Sequence, residues 1–174
     1  MSKLFKRLRI ALIKNADKRT RYIIKHHIFK EVGDNFFFQP RIIPADPELI
    51  KFHNNVTVAS NVTFVNHDII DRVLNNLNKG NFDFIRGCIE VMDNVFIGTG
   101  TTILPNVKIG SNVIIAAGSV ITKDVEENSV MAGVPAKKIG NFYDFVEKRK
   151  NCKYLNDDDL WKQFDKEKMA IGKL

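Results

Sequence analysis

Cysteine, long apolar runs and early acidic residues are scarce in this chain, and each scarcity removes a class of function. Two cysteines among 174 residues, Cys88 and Cys152, make no disulfide framework and lack the CxxC spacing of a zinc or redox motif. The chain therefore reads as a reduced, cytoplasmic protein. No apolar run approaches the ~20 residues of a membrane-spanning helix. Charges interrupt MSKLFKRLRIALIK every few residues, which argues against the apolar core of a secretory signal. Residues 1–30 hold one acid, Asp17, against ten Lys and Arg, within a chain of net charge +7. Such a bias points to an acidic partner: a membrane surface, a phosphorylated ligand or nucleic acid. No nucleic-acid recognition motif accompanies the charge, so nucleic acid is set aside.

What the chain does have is a repeat. From residue 91 it reads VMDNVF, IGTGTT, ILPNVK, IGSNVI, IAAGSV, ITKDVE, each hexad opening on Val or Ile. A second block in its own phase reads FHNNVT, VASNVT, FVNHDI, and a weaker start covers residues 32–43. Period six suits neither an amphipathic helix nor a half-buried strand. It suits a coiled strand with a corner every six residues, where the first apolar residue of each hexad points inward and Gly, Asn or Asp turns the chain. Three hexads close one coil, and stacked coils bury an aliphatic column that none buries alone.

The stretch IGSNVIIAAGSVITKDVEENSVMAGVPAKKIG resembles the C-terminal signature of the hexapeptide-repeat acyltransferases. PELIKFHNNVTVASNVTFVNHD resembles their sugar- and polysaccharide-modifying members, and together the likeness covers residues 32–140. The resemblance implies a mainly β fold, a left-handed parallel β-helix, which departs from the usual right-handed crossover. It also implies a homotrimer with active sites in grooves between neighbouring subunits. The expected organisation is a basic N-terminal helical segment over 1–31, the β-helix over 32–140 with a protruding loop at 68–90, and a C-terminal helical tail over 141–174.

The repeat breaks after Asn66-His67-Asp68 and resumes out of phase, with a polar, Asn-rich interval marked by a Lys79-Gly80-Asn81 turn. A long insertion at a corner is usually functional, and in the family such loops help shape the acceptor pocket. Acyl transfer from a thioester to a hydroxyl requires removal of the hydroxyl proton, and histidine suits that task at neutral pH. The match to the family's catalytic histidine makes His67 the general base. Asp68 is a candidate to orient it, with Asp71, Glu90 or an acid from a neighbouring subunit left open. Asn66 is a candidate substrate contact or simply a corner residue.

For the donor, acetyl-CoA, the family pattern carries pantetheine contacts onto Thr99, Ala117 and Gly118. It carries phosphate contacts onto Thr122 and Lys123, and adenine-end contacts onto the segment from Gly133 to Lys137, with Lys138 beside it. Cys88 reads as a buried structural thiol rather than a nucleophile. No metal is expected: His53 and His67 are two imidazoles in the coil region, and a zinc site of this architecture needs three.

Residues 1–30 place Leu4, Leu8, Ala11 and Leu12 at helical spacing among cations. They read as a helix packed on its own trimer with a solvated face, or as an interfacial helix on anionic lipid at the inner face of the membrane; the first reading is preferred. At the other end NDDDLWKQFDKEK reads as a helix capped by Asn156 and packed down by Trp161 and Phe164. The function expected is O-acetylation of a sugar or polysaccharide hydroxyl. The alternatives are N-acetylation of an aminosugar nucleotide and a non-catalytic trimeric scaffold. Serine acetyltransferase is disfavoured, because that family's long N-terminal helical domain does not fit into thirty-odd residues.

Overall fold

The computed structural model describes residues 3–150, 152 and 154–171. It divides into a first unit ending at Tyr143 and a second beginning at Asp144. The first unit opens with two helices, α1 (Lys3–Leu12) and α2 (Ala16–Lys25), where one was expected. Thirteen short strands follow: β1 (Glu31–Val32), β2 (Phe37–Phe38), β3 (Ile50–Phe52), β4 (Val56–Val58), β5 (Thr63–Phe64), β6 (Ile89–Val91), β7 (Val95–Ile97), β8 (Thr102–Ile103), β9 (Val107–Ile109), β10 (Val113–Ile115), β11 (Val120–Ile121), β12 (Ser129–Gly133) and β13 (Ala136–Asn141).

These strands build three sheets, ordered β1-β3-β6-β9, β13-β12-β10-β7-β4-β2 and β11-β8-β5. Every pairing is parallel except β12 with β13, which turn back on each other as a hairpin. The chain visits the three sheets in rotation, so each circuit is one coil. Register fixes the coil length: Ile89 pairs with Val107, 18 residues on, and Val95 with Val113.

The hexad pattern becomes local structure in a simple way. In Val95-Phe96-Ile97 the outer two side chains point inward and are buried, while Phe96 faces out. At one edge of the coil the residue before the inward pair turns the corner in a left-handed conformation. Asn55, Asn94, Asn112 and Asn128 do so at φ 56, 60, 59 and 58°, stacked above one another. Asparagine tolerates that region better than other residues with a side chain. Here its amide is also used between coils: Asn55 Nδ2 donates to Asn94 Oδ1 (2.8 Å), Asn94 to Asn112 (3.0 Å) and Asn112 to Asn128 (3.0 Å). A second corner stacks Asn61, Gly100 and Gly118, at φ 59, 71 and 70°.

The column inside changes character along its length. At the first coils it is aromatic, with Phe29, Phe36, Phe38, Phe52 and Phe64 in mutual contact at centroid distances of 4.8–6.5 Å. Later coils contribute Ile97, Ile103, Ile109, Ile115 and Ile121, all fully buried. Full burial of such a side chain stabilises by roughly 1.5–3 kcal/mol. Helices α1 and α2 join the aromatic end through Ile10 and Ile23, both fully buried. The Arg19 guanidinium is buried with them, donating to the carbonyls of Ile13, Lys14 and Gln39. Phe38 N donates to Thr20 Oγ1 (3.0 Å).

The out-of-phase break is an excursion from the coil. Ile50 pairs with Ile89, 39 residues on, so β6 resumes directly beside β3 after the extra chain. The chain leaves at His67 and returns at Arg86, which faces His67 in an antiparallel bridge. Between them runs a short helix, α3 (Asp71–Asn75), and Asn75 closes the loop by bonding the Phe82 backbone with both amide atoms (2.9 and 2.8 Å).

Helix α4 (Phe142–Lys150) starts at the end of the first unit, and the second unit carries α5 (Asp157–Ile171). Asn156 Oδ1 accepts from Asp159 N at 2.9 Å, the cap its position predicts. Trp161 and Phe164 were expected to pack α5 down. They are 66% and 48% exposed, and their rings meet each other edge to face at 5.7 Å. Cys88 is likewise exposed, against expectation. It stands beside inward-facing Ile89, and neighbours on an extended strand point to opposite sides.

Two stability predictions follow from this packing. A Cβ added at Gly98 would lie 2.6 Å from Ala117 N and 2.7 Å from Ile115 O, both backbone atoms of the next coil. Gly98→Ala is expected to lower unfolding stability by about 1–3 kcal/mol in thermal or urea denaturation, the range of overpacking. A wild-type midpoint would show a looser approach between the coils. On the outer face of one sheet, Glu90 accepts from His53 (3.1 Å) and pairs with Lys108 (3.2 Å). The His53 hydrogen bond, aided by Lys108 and opposed by partial burial, holds the Glu90 carboxyl below its ordinary 4.5. A depressed carboxyl contributes stability above its unfolded value and loses it as pH falls through the lower folded value. Below pH 4.5 the wild type should therefore lose stability more steeply than Glu90→Gln in acid titrations.

Candidate functional site

His67 sits where the corner backbone is held from two sides. Val65 N donates to Ile103 O on the next coil (2.9 Å), and Gly87 N donates to Asn66 O (2.6 Å) where the loop re-enters. The imidazole is therefore fixed by the coil, while the returning loop lays the Phe84 ring 5.1 Å from it, tilted by 46°. Its side chain keeps 30% exposure, so one edge remains reachable.

The carboxylate that meets His67 is Asp46, with Oδ2 at 3.1 Å from Nδ1. Asp46 precedes a single 3₁₀ turn, Pro47–Leu49, yet its side chain makes no cap bond to that turn. It is spent on His67 instead, with Arg86 Nη1 3.9 Å from its other oxygen. A carboxylate accepting from Nδ1–H leaves Nε2 as the unprotonated, accepting nitrogen. That tautomer can take a proton from a hydroxyl. Beside this pair, Glu48 is held below its ordinary value, chiefly by its hydrogen bond from Lys3.

The acids considered from the sequence have other partners or places in this chain. Asp68 Oδ1 accepts from Ile70 N at 3.1 Å and shapes the start of the loop. Asp71 begins α3, and Glu90 is engaged by His53 and Lys108. Asp46 was not singled out in the sequence. The available signal was its distance from His67: 21 residues, close to one 18-residue coil, which places the two on neighbouring levels.

Asn66 is 2% exposed, and neither atom of its side-chain amide has a hydrogen-bond partner among the described residues. A buried amide left this way costs about 1–3 kcal/mol.

The donor-side candidates fall in three places. Thr99 and Ala117-Gly118 lie at one corner on successive coils, joined by Gly118 N donating to Thr99 O (2.8 Å). A Cβ built on Gly100 or Gly118 would meet nothing within 4 Å, so the backbone here is open on its outer side. Thr122 and Lys123 are exposed at a different corner, just after β11. Lys137 and Lys138 lie on β13, opposite Ala132 and Met131, with Lys138 Nζ 3.9 Å from Glu126. Among the described residues, no three His, Cys, Asp or Glu side chains gather as a metal site would require.

Residues 89–123 match the family described as bacterial transferase hexapeptide (six repeats). The chain is 34% identical over 115 residues to a galactoside O-acetyltransferase of Escherichia coli K12, covering 65% of this chain and 54% of that protein. It spans about half the length of the curated relatives it matches first. Among solved structures, it is similar to a maltose O-acetyltransferase from Clostridium difficile 630, with 26% identity and TM-score 0.62 over 79% of this chain and 83% of that one. It is also similar to a galactoside acetyltransferase in complex with coenzyme A, with 26% identity and TM-score 0.56 over 90% of each chain.

Proposed function

Because this chain belongs to the hexapeptide-repeat transferases, we propose that it is an acetyl-CoA-dependent O-acetyltransferase acting on a sugar or polysaccharide hydroxyl. The observation that carries this reading is the His67–Asp46 pair, with Nδ1 3.1 Å from the carboxylate, at a coil corner beneath a loop. His67 Nε2 takes the acceptor's hydroxyl proton as that oxygen attacks the thioester carbonyl. The C–S bond breaks, the acetyl group ends as an ester, and the leaving thiolate takes the proton from the His67 imidazolium to become the free thiol. Asp46 holds the imidazole in the required tautomer and steadies the imidazolium that forms, the role such carboxylates play beside catalytic histidines.

Asn66 supports the same reading. Its buried amide, without a hydrogen-bond partner among the described residues, is the group a bound acceptor would satisfy. Asp68 serves the loop rather than the proton transfer. On the donor side, the open corner of Thr99, Ala117 and Gly118 suits a pantetheine arm that needs backbone partners. A backbone amide of this region acts as oxyanion donor. Thr122, Lys123, Lys137 and Lys138 supply hydroxyl and cationic groups for phosphates and the adenine end, each phosphate contact worth roughly 1.5–3 kcal/mol. The solved relative with coenzyme A bound supports the donor's identity.

The coil is read as left-handed and the assembly as a homotrimer. In its support, the loop exposes Ile69, Ile70, Val73, Leu77, Phe84 and Ile85, an apolar surface that a neighbouring copy would cover. A cytoplasmic location is part of this reading, supported by two cysteines that make no disulfide framework.

The test is thiol release from acetyl-CoA across a panel of sugars, oligosaccharides and nucleotide sugars. On an active acceptor, His67→Ala should lower turnover by ~10²–10⁴, the range of general acid–base catalysis. Asp46→Asn should lower it by less, and Cys88→Ser should leave it unchanged. A product cleaved by mild base is an ester, as proposed; a base-stable amide would select N-acetylation instead. Turnover indifferent to His67→Ala would remove this mechanism.

A further inference from the structure

Helix α1 is mounted with its apolar side outward. Leu4, Leu8 and Leu12 are 77%, 57% and 70% exposed, one above another at i, i+4 and i+8. Its buried residue is Ile10. A surface helix ordinarily buries its apolar stripe and gives its charges to water. In α1 the cations are instead engaged by the rest of the first unit, with Lys6 and Arg7 half-buried and Lys3 and Arg9 still exposed. Lys3 pairs with Glu48 (2.8 Å), Lys6 donates to His26 O (3.2 Å), and Arg7 donates to Ile43 O (3.2 Å) and Pro44 O (2.9 Å). The Arg9 guanidinium lies over the Tyr22 ring at 5.7 Å. The solvated face that the sequence suggested for this helix is thus a leucine face.

The neighbouring helix supplies the charge. On α2, Lys18, Arg21 and Lys25 are exposed, while Arg19, Thr20 and Ile23 are buried. The helical end of the first unit therefore presents an apolar ridge and a basic row. We propose that this face docks on an anionic lipid surface, with Leu4, Leu8 and Leu12 entering the headgroup–acyl boundary and Lys18, Arg21 and Lys25 meeting the lipid phosphates. Charge complementarity selects this occupant. A second copy laid face to face would bring two basic rows together, whereas an acidic bilayer offers apolar depth and negative charge at once. No helix among the described residues is long and apolar enough to cross a membrane, so the contact is peripheral.

Vesicle flotation tests this independently of acetyl transfer. The 174-residue chain is mixed with phosphatidylcholine vesicles, with or without a phosphatidylglycerol fraction. It should float with the anionic vesicles and remain behind with the neutral ones, and high salt should release it. Leu4→Gln/Leu8→Gln should weaken flotation by about tenfold or more, the order expected when two leucines lose apolar contact. Lys18→Gln/Arg21→Gln should weaken it too. Circular dichroism, mass by light scattering and thiol release should all stay at wild-type values. Absence of flotation, equal flotation on neutral vesicles, or leucine variants that float like wild type would overturn the proposal. A fall in mass in the leucine variant would also overturn it, by assigning the ridge to a second copy.

Discussion

A chain that turns every six residues needs, at corner after corner along two of its edges, one residue willing to adopt a left-handed backbone. Most residues with a side chain resist that region, because Cβ approaches the following carbonyl. The fold depends on that constraint being met again and again. Asn55, Asn94, Asn112 and Asn128 meet it at one edge, and Asn61, Gly100 and Gly118 at another. Asparagine does more than tolerate the turn, since each amide reaches the corner above it. The ladder from Asn55 to Asn128 is thus a second set of inter-coil bonds beside the backbone ladders. With corners at fixed heights, inward Val and Ile side chains stack coil on coil as a buried column.

The same constraint explains how the coil carries an insertion without losing its order. A loop that leaves and re-enters at one corner does not disturb the sheet if its two ends are held together. Gly87 N on Asn66 O and the bridge between His67 and Arg86 do that. Ile89 then finds Ile50 as though nothing intervened. His67 stands at the point where rigid coil and excursion meet. Its backbone belongs to the coil, and its surroundings, Phe84 and Arg86, belong to the loop.

Much of this was legible in the sequence because period six is a local property. The hexads from residue 91 predict inward Val91, Ile97, Ile103, Ile109, Ile115 and Ile121, and all six are fully buried. The break at His67 was visible as a phase slip. The partner of His67 was not, because Asp46 acts across coils from a Pro-rich segment with no repeat of its own. Adjacent Asp68 looked closer in sequence, but neighbours in an extended chain diverge, and its carboxylate turns to Ile70 N. Cys88 illustrates the same limit. An apolar neighbourhood in sequence, Ile85 to Val91, does not say which alternate positions face in.

Orientation of a helix on a coil end is harder still to read, and α1 shows why. The first coil has no earlier coil to satisfy its backbone, so carbonyls such as those of Ile43 and Pro44 need donors from elsewhere. Arg7 provides them, Lys6 answers His26 O, and Ile10 fills the aromatic end of the column. Lys3, Lys6, Arg7 and Ile10 fall on one side of a helix turning 100° per residue, so Leu4, Leu8 and Leu12 must fall on the other. Capping accounts for the first set completely. It places no demand on the second, where polar residues would leave every capping bond intact. Leucine at three successive turns of an outward face, beside a row of unburied cations, is therefore a property of what that face meets and not of how the coil is closed.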